Sequence, residues 1–133
     1  MLLKATKIFK FGAAHCLPKH KGLCKNLHGH NYELHITFAK QIANPHHGNE
    51  YPYMVEDFGD IKKLINPIIK EMDHQYLNNI FGTIDPTAEN MSIWIAKKIK
   101  QNMINVDYDL NSIRLYETDS SYVDLTNLSD LKG

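Results

Sequence analysis

The chain has 133 residues, with 15 basic and 15 acidic side chains and no net charge, so it lacks a whole-chain electrostatic footprint for nucleic acid or an anionic membrane. Hydrophobic residues at 43% and charged residues at 23% are ordinary for a soluble globular protein and exclude intrinsic disorder and low-complexity scaffolds. Two cysteines cannot make a disulfide framework, no secretory leader is evident, and no run approaches the ~20 apolar residues of a membrane span, so one cytoplasmic domain over residues 1–133 is expected.

Residues 2–15 alternate toward their end, with Phe9, Phe11, Ala13 and His15 on one parity, and predict a strand. A loop punctuated by Pro18 and Gly22 follows. Residues 28–40 predict a half-buried strand, since His28, His30, Tyr32, Leu34, Ile36 and Phe38 share a parity that leaves the histidines at one end. Residues 43–49 have the composition of a hairpin-like turn, with no role assigned to His46 or His47. Residues 51–55 predict a returning strand that Pro52 keeps from a central position. Asp57 is placed as the N-cap of an amphipathic helix that turns Ile61, Leu64, Ile65, Ile68 and Met72 inward, with a kink or break expected at Pro67. Asp85-Pro86-Thr87 opens a second helix, with Pro86 in its first turn and Met91, Trp94, Ile95 and Ile99 facing inward. Strands over 112–117 and 122–125 complete the order. Strands and helices are segregated, which points to an α+β antiparallel sheet with helices on one face.

His28 and His30 lie two apart on a strand, project from the same face and can converge on one metal ion. His15 ends the preceding strand and becomes a third ligand if the two strands pair. Three imidazoles suit zinc and leave a tetrahedral position open for water or substrate, the catalytic rather than the structural pattern. Unrelated polar residues at a strand end would show the same spacing. Cys24, four residues before His28, is either a fourth ligand, a thiol activated beside the metal, or a buried apolar thiol. Cys16 is expected to face away from His15 and is given no role. Asp73-His74, directly after the first predicted helix, is either an orienting carboxylate with an acid–base imidazole or a polar helix end. Glu117 is either a carboxylate for two parallel N–H groups of a heterocycle edge or an exposed strand terminus. Glu89 complements a helix dipole. Lys19, His20, Lys21 and Lys25 form either a solvated loop or an attraction for a phosphorylated substrate.

Six segments, in order, resemble the 6-pyruvoyltetrahydropterin synthase / 6-carboxytetrahydropterin synthase family: Phe11-Gly12-Ala13-Ala14-His15, Cys24-Lys25-Asn26-Leu27-His28-Gly29-His30-Asn31-Tyr32, Val55-Glu56-Asp57-Phe58, Met72-Asp73-His74-Gln75-Tyr76-Leu77-Asn78, Pro86-Thr87-Ala88-Glu89-Asn90 and Tyr116-Glu117-Thr118. The resemblance implies the tunnelling fold, a four-stranded antiparallel sheet with two helices packed on one face. Subunits of that fold close their sheets into a barrel, typically as a hexamer made of two trimers. It implies Zn2+ on His15, His28 and His30, and 7,8-dihydroneopterin triphosphate as substrate. It further implies Cys24 as base, Asp73 with His74 as a proton relay supplied across a subunit interface, and Glu117 anchoring the amino-pyrimidine edge with Thr87 and Glu89. No redox cofactor is needed, because the oxidation-state change is internal.

The folate-type branch has Glu in place of Cys24, which argues against it. The short chain and the loop over 20–24 are similar to the bacterial carboxy type. That type releases triphosphate and acetaldehyde and leaves 6-carboxy-5,6,7,8-tetrahydropterin, toward 7-deazaguanines and queuosine. The Glu117-Thr118-Asp119 ending is as similar to the pyruvoyl type, which keeps the side chain. Carboxy synthase is the expected activity and pyruvoyl synthase the alternative. A non-catalytic zinc- or pterin-binding protein is the reading of another class. Two departures stand out: Cys16 occupies a position where the family has a basic residue, and Arg114 is the sole arginine. A triphosphate clamp would then rest on lysines, which lack the bidentate fork of arginine.

Overall fold

The computed structural model describes residues 1–42 and 54–131. Four strands, β1 (Leu2–His15), β2 (His28–Gln41), β3 (Asp109–Thr118) and β4 (Ser121–Leu125), form one antiparallel sheet in the order β1-β2-β3-β4. Because side chains alternate across a strand, one parity of each strand builds the inner face. Phe9, Phe11 and Ala13 of β1 pack there beside Tyr32, Leu34, Ile36 and Phe38 of β2 and Ile113 and Leu115 of β3. The register pairs His15 with His28 and Ala13 with His30, so the histidines gather at one end of that face.

Between β2 and β3 the chain forms α1 (Phe58–Met72), α2 (Leu77–Phe81) and α3 (Ala88–Asn102). Here α1 packs on β1, and α3 packs on β3 and β4. Ile61, Ile65, Ile68 and Met72 of α1 and Met91, Ile95 and Ile99 of α3 are fully buried against the sheet, as their spacing predicts. Asp57 caps α1, accepting from the N–H groups of Gly59 (2.7 Å) and Asp60 (3.3 Å).

The structure departs from the sequence reading in several places. The helical assignment of α1 runs through Pro67 without a break. Pro67 and Lys63, four residues earlier, are both exposed, so water can take the carbonyl that loses its partner. Pro86 is not in the first turn of α3 but precedes its N-cap, Thr87, whose hydroxyl oxygen accepts from Asn90 N–H at 3.1 Å. The five-residue α2 was not expected. β3 begins three residues earlier than predicted, through a register shift beside Thr37 and Phe38 that leaves Asn111 as the extra residue. That bulge reverses the parity and turns Leu110 inward along with Ile113. The turn expected over 43–49 lies outside the described residues. So do positions 51–53 of the returning strand, while Met54 and Val55 lie in a bend rather than a strand. Among the described residues, no helix is long and apolar enough to cross a membrane.

Removing the Asp57 cap by Asp57→Ala should cost about 1 kcal/mol of stability. The effect would appear as a lower urea midpoint with an unchanged slope; an unmoved midpoint would show that the cap contributes nothing.

Candidate metal centre

Strand pairing brings His15, His28 and His30 together on the inner face, and Glu117 reaches them from β3. One ligand atom from each of these four residues lies within 4.8 Å of the others. The three imidazoles meet edge-on, with ring centroids 4.6 to 5.0 Å apart and interplanar angles of 69 to 90°. His15 Nδ1 is 2.8 Å from the Pro86 carbonyl oxygen, and His28 Nδ1 is 2.6 Å from the Asn26 carbonyl oxygen. A carbonyl only accepts, so in both rings Nδ1 carries the proton and Nε2 presents a lone pair. Those two Nε2 atoms are 3.0 Å apart. Two lone pairs held that close repel unless a cation or proton lies between them.

Other separations fit the same conclusion. Glu117 Oε1 is 2.9 Å from His30 Nε2 and 3.7 Å from His15 Nε2. Ligand atoms at ordinary zinc distances around a tetrahedral centre lie about 3.3 Å from one another, within the span seen here. His30 Nε2 is buried and makes no aligned hydrogen bond among the described residues, despite the nearby carboxylate. Burial lowers the His30 pKa; Glu117 opposes that shift, while His15 and His28 add to it, so the neutral, ligating form is favoured. The group can therefore hold a divalent cation.

Asp73 and His74 sit along the free edge of β1. Gly12 N–H donates to Asp73 Oδ1 at 3.0 Å, and the Gly12 carbonyl accepts from His74 N–H at 2.6 Å. Asp73 Oδ2 is 3.0 Å from His74 Nδ1. The two side chains thus form a bonded carboxylate–imidazole dyad. His74 adopts a left-handed backbone, φ +60°, which turns the chain from α1 onto the strand edge. Its ring is 88% exposed. A cavity of about 540 Å³ beside the dyad is lined by Gly12, Ala14, His30, Asn31, His74 and Tyr76.

The remaining sequence candidates are more dispersed. Cys24 lies in a 3-10 turn (Leu23–Lys25), half-buried, and outside the four-residue ligand group. Its carbonyl accepts from Leu17 N–H at 2.7 Å, which folds the loop back on the end of β1. Thr87 caps α3, and Glu89 is exposed in its first turn. Cys16 Sγ is 3.1 Å from Tyr76 Oη, and its backbone is held by the Asn78 amide. Arg114 makes a bidentate pair with Asp124. Tyr32, 1% exposed and edge-on to His30 at 5.6 Å, has a hydroxyl with no partner among the described residues. Burial, then Glu117, hold its phenol above the ordinary range. Sequence reasoning did not place Glu117 with the histidines. The signal was present: it shares its parity with buried Ile113 and Leu115 on the strand next to β2.

A family model described as 6-pyruvoyl tetrahydropterin synthase matches residues 4–127. A 6-carboxy-5,6,7,8-tetrahydropterin synthase of Synechocystis is 36% identical over 116 residues, covering 86% of each chain. A dihydroneopterin monophosphate aldolase of Pyrococcus furiosus is 31% identical over 125 residues, covering 92% of this chain and 98% of the relative. The structure of Caenorhabditis elegans 6-pyruvoyl tetrahydropterin synthase superposes with a TM-score of 0.81 over 96% of each chain at 24% identity, a likeness of fold.

Two outcomes follow from this geometry. His28→Ala should weaken divalent-cation uptake about 100-fold or more, the upper end of what even an outer-shell loss costs; competition with a coloured chelator measures it, and unchanged uptake would refute the site. The Gly12 N–H, and then His74, hold the Asp73 carboxyl below its usual range. A folded pKa below the unfolded one stabilises above the unfolded value and is lost as pH falls through the folded one. The stability gap between wild type and Asp73→Asn should therefore be open at pH 6 and close on acidification below the ordinary Asp range, as urea titrations at both ends would show.

Proposed function

Since the chain belongs to the 6-pyruvoyl tetrahydropterin synthase family, we propose that it is a zinc-dependent lyase. In this reading it converts 7,8-dihydroneopterin triphosphate and one water into 6-carboxy-5,6,7,8-tetrahydropterin, triphosphate and acetaldehyde. The observation that carries the reading is the convergence of three imidazoles: the Nδ1 protons of His15 and His28 are committed to carbonyls, which leaves their Nε2 lone pairs facing each other, and the buried Nε2 of His30 has no hydrogen-bond partner among the described residues. His15, His28 and His30 would hold Zn2+, which supplies Lewis acidity to the substrate side chain.

The chain's own groups divide the remaining work. The Cys24 thiolate takes the proton from the substrate side chain. His74, oriented through Nδ1 by Asp73, gives and receives protons at Nε2. Glu117 accepts two N–H groups from the amino-pyrimidine edge, a task in which Thr87 and Glu89 assist. The dyad is bonded to the outer edge of β1 at Gly12 and leaves the His74 ring 88% exposed, where a neighbouring subunit would meet it. That position supports a relay shared between subunits in a barrel-forming hexamer of two trimers. The product fits entry to 7-deazaguanine and queuosine synthesis in the cytoplasm, with residues 1–133 acting as one domain and with neither nucleic acid nor membrane as partner.

A second reading is cleavage of the dihydroneopterin monophosphate, the substrate in the name of the 31% identical relative. The pairing of the sole arginine with Asp124 supports it, because a triphosphate would then be met by lysines.

Zinc-loaded protein incubated without oxygen with the triphosphate, and separately with the monophosphate, should give carboxy-tetrahydropterin and acetaldehyde from the triphosphate by mass spectrometry. Retention of all side-chain carbons would assign the pyruvoyl reaction. Turnover of the monophosphate alone would assign the aldolase reaction, and no turnover with zinc bound would leave a binding protein. Cys24→Ala should lose at least ~100-fold in turnover while keeping its zinc. Loss of the metal instead would make Cys24 a ligand.

A further inference from the structure

The four-residue group contains one ligand more than an open catalytic site allows. Three histidines and a carboxylate complete a tetrahedron, whereas a catalytic zinc keeps a position for water or substrate. The four are not held alike. Main-chain carbonyls fix the rings of His15 and His28. Glu117, among the described residues, makes no hydrogen bond or ion pair except to His30 and His15. Its side chain is 26% exposed, against 0% for His15 and 16% for His30. Only Oε1 enters the group, asymmetrically, at 2.9 and 3.7 Å. Unlike His15 and His28 it has no main-chain anchor among the described residues, and it is more exposed than His15 and His30. Tyr32, on the same inner face and one residue beyond the last β2–β3 pair, Glu33 with Tyr116, offers a buried hydroxyl with no partner among the described residues. That unused donor is available to a carboxylate that moves.

We infer that Glu117 is a displaceable ligand. In the free protein its carboxylate closes the cation site with His15, His28 and His30. An arriving pterin draws it onto the amino-pyrimidine edge and so opens the coordination position. The carboxylate stays ionised throughout, exchanging a cation contact for two N–H donors, and no proton or electron is transferred. One side chain then performs both recognition and gating: the cation is exposed only when the correct heterocycle is seated. This inference rests on the pterin reading above.

Cobalt(II) replaces zinc in such sites and reports its ligands through its visible absorption. Two titrations decide the matter. Glu117→Gln should release cobalt about tenfold more readily to a competing chelator and should show a changed visible spectrum before any ligand is added. Neopterin, which carries the amino-pyrimidine edge without a triphosphate, should shift the wild-type cobalt spectrum as it saturates, with binding followed separately by its fluorescence. A Glu117→Gln spectrum and cobalt affinity equal to those of wild type would overturn the inference. So would neopterin that binds without moving the wild-type spectrum, a result that needs no variant to fold. The pterin reading fails separately, if neopterin leaves the fluorescence unchanged and no dihydroneopterin phosphate is turned over.

Discussion

A slip of one residue between β1 and β2 would carry His28 and His30 from the helix-covered face to the open one, because the side-chain period of a strand is two. The pairing of His15 with His28 and of Ala13 with His30 is therefore the constraint on which the centre depends. The register is set over fourteen pairs and enforced by what lies further along the same face. Phe11 stacks on Tyr32 at 5.0 Å, and Leu34, Ile36 and Phe38 are fully buried beneath α1 and α3. Displacing that apolar set into water would cost on the order of 1.5–3 kcal/mol per large side chain. The hydrophobic half of the sheet thus fixes the position of the polar half.

The centre in turn joins the two layers. His15 is fully buried at the end of β1, and its Nδ1 is bound to the carbonyl of Pro86, which leads into α3. An imidazole there without that acceptor would carry the cost of a buried, unpaired donor. Asp73 makes a comparable link on the other side of the sheet edge, since α1 ends where its carboxylate meets Gly12. Each helix that flanks the site is attached to β1 by a polar contact close to the chemistry. Geometry at the site and packing of the layers are not separable in this fold.

Much of this was legible in the sequence, for a reason that also marks the limit. Periodicity reports the face a side chain occupies, so β1, β2, α1 and α3 followed from residues such as Phe9, Phe11, Ile61 and Ile65. The proximity of His15 to His28-Gly29-His30 required only that neighbouring strands pair. Features governed by main-chain atoms left no trace. The carbonyls of Pro86 and Asn26, the Gly12 clamp and the bulge at Asn111 have no residue-type signature. The five residues of α2 are too few to show a period. Glu117 lay between these cases: its face was readable, but its distance from the histidines depends on the pairing of β3 with β2.

The use of carbonyl oxygens to orient the rings bears on mutational robustness. A side-chain acceptor is deleted by one codon change. A main-chain carbonyl survives substitution by any of the twenty residues, proline included, as Pro86 itself demonstrates. As long as the backbone path at positions 26 and 86 is kept, the tautomers of His15 and His28 are inherited with the fold rather than with particular neighbours. Sequences can then drift widely around the centre without turning its ligands, and selection is free to act on the groups that face the substrate.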